Sequence, residues 1–170
     1  MKNITAFILS LLLAMMLFSQ QTPCNFTEVE ENGKIVYKGE RNYISTDYKE
    51  LKICLQFQYS EGQYCIAVIT EGNRRMEIDS TNVAYMQLGN GKEYVLKPGE
   101  RKYDKDGKQL ECRYVVGEKD VRDFSNNPIR GIFFSTDIYP QIDISDLNNY
   151  TSRKLRERFN CAYTNFNKQD

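Results

Sequence analysis

The chain reads as an α+β protein, mainly an antiparallel sheet of hairpins, curved or folded into two layers, with a C-terminal helix packed on it. Two observations carry this reading. Turn dipeptides at Asn32-Gly33, Asn90-Gly91 and Asp106-Gly107 recur between runs in which apolar and polar residues alternate, the signature of tight hairpins. From Asp146 to Tyr163 the apolar residues instead return at helical spacing, and Leu147, Thr151, Leu155, Phe159 and Ala162 form one stripe.

The first twenty residues stand apart from this pattern. Lys2 gives a positive start, and Ile4 to Phe18 is apolar except for Thr5 and Ser10. That is the length of a signal-peptide core and shorter than the ~20 residues a membrane-spanning helix needs. Residues 1–20 are therefore expected to be a signal peptide, cut at Ser19 or Gln20, and residues 21–170 a single β-rich domain without a stable membrane span.

Each element of that domain follows from local chemistry. Asn32-Gly33 sets Val29 against Val36 and Glu31 against Lys34, an apolar pair beside a charge pair. Leu51 to Thr70 folds back at Glu61-Gly62, so that Tyr59 faces Tyr64, Cys65 faces Gln58 and Cys54 faces Ile69. Arg75 to Ile78 is expected as a short connecting strand. Asn90-Gly91 returns Val83–Leu88 as Lys92–Lys97, with Met86 opposite Val95. Asp106-Gly107 sets Lys102 opposite Glu111 and Tyr103 opposite Leu110, and the run continues to Val116. This gives eight to ten strands in all. Glu118 to Phe124 suits a short helix ended by Ser125-Asn126-Asn127-Pro128. Ile129–Ser135 and Ile138–Ile144 form a last pair joined at Thr136-Asp137, and Pro140 pushes the second run to a sheet edge, because proline donates no ladder bond. Ser145 offers an N-cap for the final helix, whose Arg153, Lys154, Arg156 and Arg158 occupy its flanks and outer face.

All five cysteines, Cys24, Cys54, Cys65, Cys112 and Cys161, lie beyond the leader, where export would let disulfides persist. The hairpin register sets Cys54 and Cys65 four rungs apart, roughly 13 Å at strand rise, too far for a bridge. Cys161 sits at the margin of the buried helical stripe and is the cysteine expected to be bridged. Its partner stays open among Cys24, Cys54, Cys65 and Cys112.

Composition excludes much chemistry. The 23 Lys and Arg balance the 23 Asp and Glu, so nothing favours nucleic acid as a partner. The absence of His removes the Ser/His/Asp and Cys/His nucleophile pairs and the HExxH zinc site. Asp104-Lys105-Asp106-Gly107 with Glu111 resembles part of a calcium loop, but Glu111 falls four residues past the glycine where six are needed. Tyr48 with Lys52, and Thr46 with Lys49, mimic catalytic spacings without their companion motifs. No cofactor or metal is implied. With no Trp, the 12 Tyr are the aromatic platforms available for a sugar. Most of them, including Tyr59, Tyr64, Tyr85, Tyr94, Tyr103 and Tyr114, fall on strand runs where cross-strand packing is their ordinary role.

Several stretches carry a likeness of pattern: the leader ending Phe18-Ser19-Gln20-Gln21, the early Cys24, the run from Met76 to Leu96 with Leu88-Gly89-Asn90-Gly91-Lys92 inside it, and Pro128-Ile129-Arg130-Gly131-Ile132-Phe133-Phe134-Ser135-Thr136 before a helix bearing Cys161. In these the chain resembles small exported proteins of Bacteroidetes bacteria. The resemblance implies no catalytic signature and supplies no site residue. The expected function is a periplasmic or secreted, non-enzymatic binding or interaction module of the cell envelope, holding a protein or glycan on a sheet face or edge. The alternative is a carboxylate-based glycan hydrolase, which needs a cleft holding two acids roughly 5 to 10 Å apart.

Overall fold

The computed structural model describes residues 24–44, 50–145 and 147–166. The leader and its cut, the Thr46, Tyr48 and Lys49 spacings, and Asp146 lie outside these described residues. Within them the order is β1 (Thr27–Glu31), β2 (Lys34–Lys38), β3 (Asn42–Ile44), β4 (Leu51–Ser60), β5 (Gln63–Gly72), β6 (Ala84–Leu88), β7 (Glu93–Leu96), β8 (Pro98–Tyr103), β9 (Gln109–Val116), α1 (Glu118–Asn126), β10 (Ile129–Phe134), β11 (Ile142–Ile144) and α2 (Asn149–Phe166). The fold is α+β, mostly antiparallel strands with the C-terminal helix packed on them. Eleven strands among the described residues exceed the eight to ten expected, and β3, a three-residue strand paired to β4, is the one that no alternating run announced.

The strands form two sheets. A seven-stranded sheet runs β1-β2-β4-β5-β9-β8, with β3 also paired to β4, and a four-stranded sheet runs β11-β10-β6-β7. The first two hairpins have the registers their turns dictate: Val29 faces Val36 and Glu31 faces Lys34, while Tyr59 faces Tyr64 and Cys54 faces Ile69. Asn32 and Gly33, like Glu61 and Gly62, take positive φ, as the mirror-image two-residue turn demands. The main core lies on one face of the seven-stranded sheet, where Ile53, Leu55, Phe57, Ile66, Val68 and Tyr114 are fully buried against α1, α2 and the inner face of the four-stranded sheet.

Four expectations are corrected. The hairpin after β6 is shifted by one residue, so that Met86 faces Tyr94 and Tyr85 faces Val95. Here Gly91 alone takes positive φ (83°), its amide donates to the Leu88 carbonyl, and Leu88 bonds Lys92. The loop is therefore three residues long, a turn closed by a left-handed glycine, in place of the two-residue Asn90-Gly91 loop that the dipeptide predicts. Arg75–Ile78 is not a strand, because its backbone bonds go sideways: the Glu77 amide donates to the Asp137 carboxylate and the Ile78 carbonyl accepts from Arg101. The run from Ile138 is strand only over Ile142–Ile144. The Thr136 amide bonds the Tyr139 carbonyl, and Pro140 cannot donate, so the connection spans Ser135 to Gln141 and leaves β11 at a sheet edge. Finally, α2 begins at Asn149 and is capped by Asn148, whose side-chain oxygen accepts from the Thr151 amide at 2.8 Å. Ser145 is not its cap, because the Leu147 amide is committed to the Arg130 carbonyl in β10.

The helical stripe is buried at all five positions, Leu147, Thr151, Leu155, Phe159 and Ala162. Phe159 meets Phe57 edge-on at 4.9 Å between centroids, and the Ser152 hydroxyl donates to the Ile129 carbonyl. Leu155→Ala should therefore cost about 3 kcal/mol in urea unfolding. A loss under half a kcal/mol would mean that the helix does not seat on this face.

Candidate functional site

Two places in the fold depart from ordinary packing, and they differ in what they offer a partner. The first is the face of the seven-stranded sheet opposite the main core. The sheet curls about this face until side chains of its edge strands β1 and β8 meet: Lys102 donates to Glu31, and Asn32 donates to Glu100. Glu31 also pairs with Lys38 (2.7 Å) and with Arg113, and Arg113 with Glu100 and Glu111. Three carboxylates thus balance three cations inside the curl. Beside them Gln58 donates to Gln56 (3.1 Å) and Glu111 (2.9 Å), and Gln56 donates to the Gly39 carbonyl. Burial acts on Glu31 to raise its pKa, but the hydrogen bonds from Lys102, Lys38 and Arg113 outweigh it and hold the carboxyl near 2. This is opposite to what a general acid needs, and the network ties strands together.

The three free thiols are equally unsuited to chemistry. Cys54, Cys65 and Cys112 are buried, and that burial pushes each up to about 11, so they stay protonated and weakly nucleophilic at neutral pH. Cys161 is joined to Cys24 with a Cα–Cα separation of 5.9 Å.

The basic residues of α2 do not converge. Arg153 lies 3.8 Å from Glu157, Lys154 stacks over Tyr150 and Arg158 over Phe26. The calcium-like stretch is a hairpin turn, in which Asp104 accepts the Gln109 amide and Gly107 takes positive φ. Among the described residues, no group of three or more Cys, Asp or Glu side chains is placed to hold a metal, and no helix is long and apolar enough to cross a membrane.

The second place is the outer face of the four-stranded sheet. Alternation on β6 sends Ala84, Met86 and Leu88 into the core and Tyr85 and Gln87 outward. The register then aligns Asp143, Phe133, Tyr85 and Val95 in one row across all four strands, and Gly131, Gln87 and Glu93 in the next. Tyr85 is 49% exposed and Val95 59%; Tyr43, Ile35 and Tyr103 of the other sheet are exposed too, but they stand opposite Cys54, Glu30 and Leu110, whereas Tyr85 and Val95 face each other across the ladder. Two shallow depressions of about 260 and 230 Å³ flank this row. Tyr94, one place along from Val95, turns inward instead. It packs on Phe124 and donates to Asp123, which fastens β7 to α1, and its pKa is pushed up to about 12 by burial first and by that carboxylate second.

Sequence reasoning named Tyr85 among the tyrosines that could pack across strands or form a binding face, without choosing between the two, and missed Val95, Phe133, Gln87 and Glu93. The missed signal is the pair of glycines around Asn90, which lengthens the turn and flips every side chain of β7. The acids of this face, Glu93 and Asp143, stand on β7 and β11, three strand spacings across and two residues along the strands, roughly 16 Å apart. That exceeds the separation of a glycosidase pair. Comparison of the chain with family models, with curated proteins and with solved structures finds no match in any of the three.

Proposed function

We propose that the protein is an exported, non-enzymatic binding module of the cell envelope that holds its partner on the outer face of the four-stranded sheet. The observation that supports this reading is the Phe133–Tyr85–Val95 row, an aromatic and apolar stripe left open across a sheet whose other face is fully packed. Leaving such a stripe in water forfeits burial that a purely structural strand would take, and stripes of this kind on otherwise polar surfaces mark interaction sites. The Cys24–Cys161 disulfide is compatible with an oxidising compartment. The hydrolase alternative has no support at this face, because its two carboxylates are too far apart to share one glycosidic bond.

The test is retention of the purified protein on washed envelope fractions of its source cells. Tyr85→Ala should reduce the retained fraction about tenfold, the loss expected for a central aromatic anchor, while shifting the melting temperature by less than about 3 °C, because Tyr85 packs little of the core. Unchanged retention of Tyr85→Ala would remove this face from the function.

A further inference from the structure

Resting on that reading of the face, we infer that its ligand is a neutral polysaccharide bound over at least two consecutive sugars, laid along β6 and across the Tyr85 ring. The two depressions share Tyr85 and Phe133. One extends from them to Val83, Pro140 and Gln141, the other to Gln87 and Glu93. Each is smaller than the roughly 300 Å³ at which sites for drug-sized ligands begin. Each therefore fits a single ring, and two such places on either side of one aromatic pair fit neighbouring sugars of one chain.

The chemistry of the lining favours a sugar over a protein. The face of an aromatic ring carries negative charge density, which suits the array of C–H bonds on one side of a pyranose. Tyr85, Gln87 and Glu93 make no side-chain hydrogen bond among the described residues, so their donors and acceptors are free for hydroxyl groups. A stable protein interface buries about 800 Å² per partner, far more than a stripe one residue deep supplies. Strand addition is poorly served too, since the two edge strands are short, β11 with three residues after Pro140 and β7 with four.

Charge sets which glycan. Among the described residues neither depression is lined by Lys or Arg, and one is lined by the carboxylate of Glu93. An anionic chain would meet the Glu93 carboxylate with no lining cation to compensate it, so uronates are disfavoured and neutral sugars accepted.

Affinity electrophoresis of the purified protein in gels containing xylan, mixed-linkage glucan or galactomannan, with polygalacturonate as the anionic comparison, tests this. The expected result is retardation by at least one neutral polymer and at least fivefold weaker retardation by polygalacturonate. Tyr85→Ala should abolish the retardation, Tyr85→Phe preserve most of it, and Gln87→Ala weaken it. The tetrasaccharide of the retarding polymer should compete at least tenfold better than its monosaccharide. Retardation by polygalacturonate alone, by none of the polymers, or equally by wild type and Tyr85→Ala would overturn the inference. If Tyr85→Ala still loses envelope retention while no neutral polymer binds, the face remains a binding face and the glycan assignment alone fails.

Discussion

Replacing Cys24 and Cys161 by serine together should lower the stability of the protein by about 5 kcal/mol, because the bond closes a loop spanning 137 residues and the chain-entropy cost of such a loop in the unfolded state is close to that value. The bond fastens the segment before β1 to the last turns of α2. Phe26, two residues past Cys24, packs on Phe57 (5.5 Å between centroids) and Phe166 (6.0 Å), and Phe166 stacks flat on Tyr59 at 4.1 Å. Asn165 completes the clasp, donating to the Cys161 carbonyl at 2.8 Å. Without the bond this aromatic group loses its tether, and the last turn of α2 should exchange its amides faster than the turns around Leu155. Guanidinium unfolding with and without dithiothreitol is the measurement. Wild type should become as unstable in reductant as the double variant, and the double variant should not respond to reductant, since Cys54, Cys65 and Cys112 are free thiols. A loss below about 1 kcal/mol would show that the crosslink restrains little.

The parts of this fold that were legible in the sequence are those decided locally. The Asn32-Gly33 and Glu61-Gly62 hairpins reach their register because a two-residue turn leaves one pairing open, and Thr151, Leu155, Phe159 and Ala162 of α2 are all buried because helical spacing selects a single face. Legibility fails where a tertiary bond outbids a local preference. Leu147 is claimed by the Arg130 carbonyl, which delays α2 to the Asn148 cap, and Glu77 is claimed by Asp137, which keeps Arg75–Ile78 out of either sheet. The candidate face lay behind a single extra turn residue. With Met86 opposite Val95, Val95 would point into the core; with Tyr85 opposite Val95, it completes an exposed row. Nor could alternation alone foresee the charged interior of the curl. Glu31, Lys38, Glu111 and Arg113 read as ordinary outward positions of a half-exposed sheet until the sheet closes over them.

That closure makes the second large prediction. Glu31→Ala should destabilise the protein by about 4 kcal/mol, because it leaves Lys38, Lys102 and Arg113 facing one another with only Glu100 and Glu111 to balance them. It should also loosen β1 from β8, leaving among the described residues the bond from Asn32, in the turn after β1, to Glu100 at 3.3 Å. The same carboxylate governs the acid limb of the stability curve. Burial would raise its pKa, yet the bonds from Lys102, Lys38 and Arg113 hold it at about 2 against an ordinary 4.5. Since the folded-state value lies below the unfolded one, the stabilisation is fully present above pH 4.5 and is lost as pH falls from there toward 2. Roughly 2 kcal/mol should disappear across that window, allowing for screening by solvent at a partly exposed side chain. Glu31→Gln removes the titrating group but keeps its shape, so its stability should start lower and fall less steeply between pH 4.5 and 2 than that of wild type. Parallel curves for the two proteins would place the acid sensitivity elsewhere and leave Glu31 without its role as the clasp between the sheet edges.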